Sequence, residues 1–169
     1  MKIKLNASFT IDLADEAATI NIAKQISSTA ATGDVIALFG DLGCGKTSFA
    51  RAFINARTAT FENVPSPTFT ILQTYEFPDP NGAIPVFHFD LYRIESTIEI
   101  EELGMDEAFV DGISLIEWPE RLDGSLPSNR LDLILTQGKE PNYRQATLKF
   151  HGLWTSRIQS LIAITRKYD

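Results

Sequence analysis

Cysteine is nearly absent: the 169 residues contain one, Cys44. A lone thiol closes no internal disulfide, and the usage fits a reducing compartment. Long apolar runs are missing too, so no membrane-spanning helix is expected. Residues 1–6 lack the extended apolar stretch of a signal peptide, which makes the cytoplasm the expected location. Basic charge is scarce, with 15 Lys and Arg against 22 Asp and Glu and a net charge of −7. That balance argues against a broad basic surface for RNA or DNA, although it leaves room for a small local patch. It suits a partner with a basic face better than a polyanion. Repeats, low-complexity stretches and linkers are lacking as well. At 44% hydrophobic and 22% charged, the chain reads as one soluble domain spanning residues 1–169.

Against these absences stands one dense signal, Gly40-Asp41-Leu42-Gly43-Cys44-Gly45-Lys46-Thr47. It fits the P-loop pattern of a glycine, four free positions and Gly-Lys-Thr. Glycines let the backbone curl so that successive N–H groups converge on a phosphate. The following helix directs its positive end at the same anion. Lys46 suits the β- and γ-phosphates and the Thr47 hydroxyl suits Mg²⁺, so nucleotide phosphates and Mg²⁺ are the expected ligands, with kinase, GTPase and ATPase chemistry all open at this point. Ser48 begins the helix proper. The motif has meaning only between a strand and a helix. Val35 to Phe39 is a continuous apolar run, as in a buried parallel strand. Residues 48–54 place Phe49, Ala52 and Phe53 on one helical face.

The remaining elements follow from pattern. Residues 8–11 are extended, and Asp12 or Asp15 caps a helix that runs to Thr29 with Ile20, Ala23 and Ile26 inward. After the prolines at 65 and 67, the Thr-, Phe- and Tyr-rich run to Phe77 reads as a strand. A turn at 78–82 joins it to a second strand over 84–91, so this pair is antiparallel and the sheet mixed. Residues 95–109 are acidic and helical with a break possible at Gly104. Residues 113–116 form a short strand ending at Glu117-Trp118. A hairpin over 131–135 and 146–150 and a helix over 153–167 complete an α/β fold whose mixed sheet is flanked by helices.

Hydrolysis needs a carboxylate at a strand end and a group that positions water. Both Asp90 and Glu117 follow apolar strands and qualify. His88 lies two residues before Asp90, on the same face of a regular strand, and can orient Asp90 or water. Arg93 reads as a surface residue. Ser66 and Thr68 occupy the place of a switch loop, where hydroxyls sense Mg²⁺ or the γ-phosphate. Cys44 serves as a small residue within the loop. Trp118 stands beside Glu117, where it can stack on a base, gate a partner contact or belong to the core. Asn129-Arg130-Leu131-Asp132 imitates a guanine-reading motif but opens a strand instead of following one, and an Asp-x-x-Gly switch in register with the P-loop is missing. GTP is therefore disfavoured.

Taken in order, the P-loop, Ser66-Pro67-Thr68-Phe69, His88-Phe89-Asp90-Leu91-Tyr92-Arg93 and Glu117-Trp118 resemble the TsaE family of bacterial tRNA-modification ATPases. The likeness runs from about residue 8 to 150, with Cys44 where the family often has alanine and Ser48 where it often has threonine. It implies a P-loop ATPase, weak alone, acting with TsaB- and TsaD-type proteins to form threonylcarbamoyladenosine at tRNA position 37. Gly40, Asp41, Leu42, Gly43, Cys44, Gly45, Lys46, Thr47, Ser48 and Trp118 would then hold the nucleotide. Thr47, Asp90 and Glu117 would surround Mg²⁺, with Glu117, Asp90 and Thr68 serving hydrolysis. tRNA would be reached through the complex. The rival is a small-molecule kinase, disfavoured because the stretch between Asp90 and Glu117 is acidic and lacks an arginine cluster.

Overall fold

The computed structural model describes residues 8–157 and residue 161. Seven strands form one sheet in the order β1-β7-β6-β2-β5-β4-β3. β2 (Val35–Phe39) lies at its centre, parallel to β5 (Ile113–Glu117) on one side and to β6 (Leu131–Gln137) on the other. β4 (Ile84–Asp90) continues the parallel set beyond β5. The flanking pairs are antiparallel: β3 (Leu72–Phe77) on β4, β7 (Arg144–Phe150) on β6, and β1 (Ser8–Leu13) on β7. The mixed sheet expected from the turn at 78–82 is thus present.

Alternation along β2 sorts the core onto two faces. Ile36 and Leu38 join the larger cluster under α1 (Glu16–Thr29) and α2 (Lys46–Asn55). Val35 joins the smaller cluster with Met105 and Ala108 of α4 (Met105–Asp111) and Leu122. Asp15, not Asp12, caps α1, its carboxylate accepting the Ala18 amide at 2.8 Å. That satisfies one of the amides left free at a helix start. Ser27 ties α1 to α2 through a 2.8 Å bond to the Phe53 carbonyl.

Two boundaries differ from expectation, and the break expected at Gly104 is present. β3 begins at Leu72, because the Ile71 amide turns back to the Pro67 carbonyl and Ile71 takes φ +66°. The acidic helix splits into α3 (Thr97–Glu102) and α4 at Gly104, where φ is +65°. Residues Gly152–Arg157 wind as a tight 3₁₀ helix. The rest of the expected terminal helix, save residue 161, lies outside the described residues, as do residues 1–7. No described helix is long and apolar enough to cross a membrane.

Candidate functional site

The central parallel strands end on one edge of the sheet, and the loop from Gly40 to Gly45 leaves β2 there before α2 begins at Lys46. All three loop glycines, Gly40, Gly43 and Gly45, carry conformations that side chains resist. Gly40 has φ +136°, and a Cβ placed on it would lie 2.3 Å from the Leu135 carbonyl oxygen. Gly45, at the start of α2, has φ +103°. The Lys46 ammonium curls back into the loop. It donates to the Gly40 and Asp41 carbonyls, the latter at 2.9 Å, and sits 3.9 Å above the Trp118 ring. Lys46 is 4% exposed, and these partners offset the desolvation of its charge.

β4 and β5 bring the two acids together. Asp90 and Glu117 are register partners, both 2% exposed. Glu117 accepts from the Thr47 hydroxyl at 3.0 Å through one oxygen, while His88 Nε2 lies 2.9 Å from the other. Asp90 is engaged on both oxygens. Oδ2 accepts from Thr68 at 2.7 Å and Ser66 at 3.0 Å, and Oδ1 accepts the Tyr92 amide at 3.0 Å. His88 therefore meets Glu117 and not Asp90, the neighbour on its own strand. Trp118 follows Glu117 in a left-handed conformation (φ 59°), with the Tyr92 ring 4.9 Å away. Arg93, expected on the surface, lies 4.2 Å over the exposed Phe69 ring.

Leu42, Lys46, Thr47, Ser66, Thr68, Asp90, Glu117 and Trp118 line a cleft of about 280 Å³. A second hollow of about 530 Å³ adjoins it, lined by Asp15, Thr19, Cys44, Asn142 and Arg144. Gly43, Gly45 and Ser48 border both. Tyr92, Thr19, Asn142 and Arg144 escaped the sequence reading. Tyr92 stands inside the His88–Arg93 run, the one cue available, whereas the others belong to α1 and to the β6–β7 hairpin, and only folding brings them to the loop. The imitation guanine motif is occupied elsewhere. Asp132 pairs with Arg130 at 2.7 Å and His151 at 2.8 Å at the start of β6, the far end from the loop, and Asn129 accepts the Leu153 amide.

The family model for TsaE, threonylcarbamoyl adenosine biosynthesis protein, matches residues 13–146. The chain belongs to the TsaE family. Among curated proteins, a Bacillus subtilis tRNA threonylcarbamoyladenosine biosynthesis protein TsaE is 42% identical over 115 residues, 68% of each chain. The Nostoc protein of the same name is 38% identical over 144 residues, 82% of this chain and 83% of its own. The crystal structure of YdiB from Bacillus subtilis superposes with a TM-score of 0.72 at 29% identity, covering 96% of this chain and 97% of that one. The loop and the acidic pair meet at one cleft, where amides, an ammonium and a hydroxyl could receive a nucleotide's phosphates. Thr47 and Glu117 form an all-oxygen donor pair suited to a hard cation such as Mg²⁺. Among the described residues no cluster of three or more His, Cys, Asp and Glu side chains could cage a metal alone. A cation held here would share its coordination with nucleotide oxygens and water, as Mg²⁺ commonly does.

Proposed function

We propose that this TsaE protein is the ATPase component of tRNA threonylcarbamoyladenosine formation, binding and hydrolysing Mg-ATP to drive or reset a TsaB–TsaD-type transfer complex. The supporting observation is the convergence of Lys46, Thr47–Glu117 and Thr68–Asp90 at the head of one cleft. Residues 1–169 would act as one ATPase domain. The loop from Gly40 to Gly45 receives the phosphates on its amides, and Lys46 exchanges a carbonyl partner for a phosphate oxygen. Bound Mg²⁺ would neutralise charge on the β- and γ-phosphates.

Glu117 and Thr47 would hold that ion, and Asp90 acts by fixing the Ser66 and Thr68 hydroxyls over the cleft. Both Asp90 oxygens are already committed to protein donors, which suits an anchor for the switch-like loop better than a direct metal ligand. Trp118 and Tyr92 line the same cleft, with the Trp118 ring against the Lys46 ammonium. The nucleoside fits the neighbouring hollow beside Ser48, Cys44 and Asn142. Partners of TsaD and TsaB type, and tRNA through them, would dock from outside the sheet edge. A direct test is phosphate release from ATP by the wild type, Lys46→Ala and Glu117→Gln, with nucleotide affinity measured alongside. Turnover lost in both variants, with affinity retained only in Glu117→Gln, supports the reading. Unchanged turnover in both contradicts it.

A further inference from the structure

His88 is wholly buried, yet it is a polar residue on the strand leading to Asp90. Among the described residues only one of its ring nitrogens has a partner. Nε2 lies 2.9 Å from Glu117 Oε1, whereas Nδ1 is buried with no hydrogen-bond partner. A carboxylate paired with Thr47 through its other oxygen can only accept here, so the ring proton belongs on Nε2. The register explains the reach. His88 pairs with Leu115 and Asp90 with Glu117, so His88 meets Glu117 on the diagonal of neighbouring parallel strands, on one face of the sheet. Nothing else in the described hydrogen bonding holds Glu117 Oε1.

We propose that His88 is the positioning residue of the site: it takes one oxygen of Glu117 so that the other is presented toward Thr47 and the metal position. This rests on the ATPase reading given above. A buried imidazole with one unsatisfied nitrogen is costly to keep. If packing alone were served, an apolar residue would suit the position between Phe87 and Phe89. The ring orients a ligating carboxylate in the way that groups behind a metal ligand fix its geometry. Without that bond the Glu117 side chain regains rotamers in which neither oxygen meets Thr47. His88 is wholly buried and lies outside the lining of the cleft, so its effect passes through Glu117.

The test uses the full chain with His88→Leu, which removes the donor and keeps an apolar volume, and His88→Gln, whose amide nitrogen can stand near the Nε2 position. ATP turnover is measured against Mg²⁺ and ATP concentration, and ADP affinity is measured without metal. His88→Leu is expected to lower kcat at least tenfold and to raise the Mg²⁺ needed for half-maximal turnover. Its metal-free ADP affinity should stay within twofold, and His88→Gln should recover most of kcat. In the Glu117→Gln background His88→Leu should leave Mg²⁺-dependent nucleotide affinity unmoved, since its route is already removed. Independently of turnover, ¹⁵N NMR of the metal-free wild type should show the His88 ring protonated at Nε2. Equal loss in the Leu and Gln variants, an effect that persists undiminished in the Glu117→Gln background, or an Nδ1–H tautomer would overturn the proposal. So would a His88→Leu protein with wild-type kcat, in which case the ATPase reading still stands. A wild type without any ATP turnover, alone or with partners, would instead remove that reading and this one together.

Discussion

At the scale of single residues, the candidate site is held by paired groups: Lys46 on the Gly40 and Asp41 carbonyls, Glu117 between Thr47 and His88, and Asp90 among Ser66, Thr68 and the Tyr92 amide. Gly-x₄-Gly-Lys-Thr marks the phosphate loop in the chain itself, and Asp90 and Glu117 stand where apolar strands end. The contacts among them were not legible. That His88 serves Glu117 depends on β4 and β5 being parallel neighbours in a register that sets Asp90 opposite Glu117, and no spacing in the sequence encodes that. The same holds for Lys46 lying over Trp118. The prediction at this scale concerns charge. A hydrogen bond to an ionised group contributes about 1.5–3 kcal/mol, so Lys46→Ala should weaken ATP binding roughly 10- to 100-fold, as read by titration of a fluorescent nucleotide. Asp90→Ala removes the acceptor shared by Ser66 and Thr68. It should spare binding within a few-fold while turnover falls by at least an order of magnitude, the scale of losing a positioned group. Turnover equal to wild type would remove Asp90 from the account.

At the scale of elements, periodicity placed α1, α2 and the strands, and proline and glycine marked the turns. It failed where backbone geometry outweighed composition. The run after Pro67 has strand-forming residues, but the Ile71 amide bonds to the Pro67 carbonyl and delays β3 to Leu72. The join between the loop and β6 carries a prediction of its own. Gly40→Ala sets a Cβ against the Leu135 carbonyl at a φ of +136°, which should cost roughly 2–4 kcal/mol. At about 2–4 °C per kcal/mol for a chain of this size, Tm should fall by on the order of 10 °C in calorimetry. The outer edge is sensitive to acid. A 3.1 Å bond from Gln145 to Asp12, then the Tyr143 hydroxyl and more weakly Lys139, hold the Asp12 carboxyl below its ordinary value, with desolvation opposing. A depressed folded pKa gives stability that is complete above the unfolded value and lost as pH falls through the folded one. The Tm gap between wild type and Asp12→Asn should therefore close as pH drops below about 4. A gap that widens there would contradict the assignment.

At the scale of the whole molecule, the mixed sheet followed from one turn, since strands joined across 78–82 must run antiparallel. The strand order did not follow, because it is set by which apolar faces meet across distant parts of the chain. Cleft volumes and the hollow built from Asn142, Arg144 and Thr19 were hidden for the same reason. Net charge of −7 and the exposed Leu42 and Phe69 near the cleft mouth agree with a protein that works against a partner. The proposed ATP turnover belongs to a tRNA-modifying assembly. Its most direct measurement is phosphate release from Mg-ATP by the full chain alone, with a TsaB–TsaD-type pair, and with that pair plus tRNA. Slow turnover alone and a rise of at least tenfold with the pair, abolished by Glu117→Gln, are expected. Turnover unchanged by the pair, with phosphate passed to a small acceptor instead of water, would contradict the proposal.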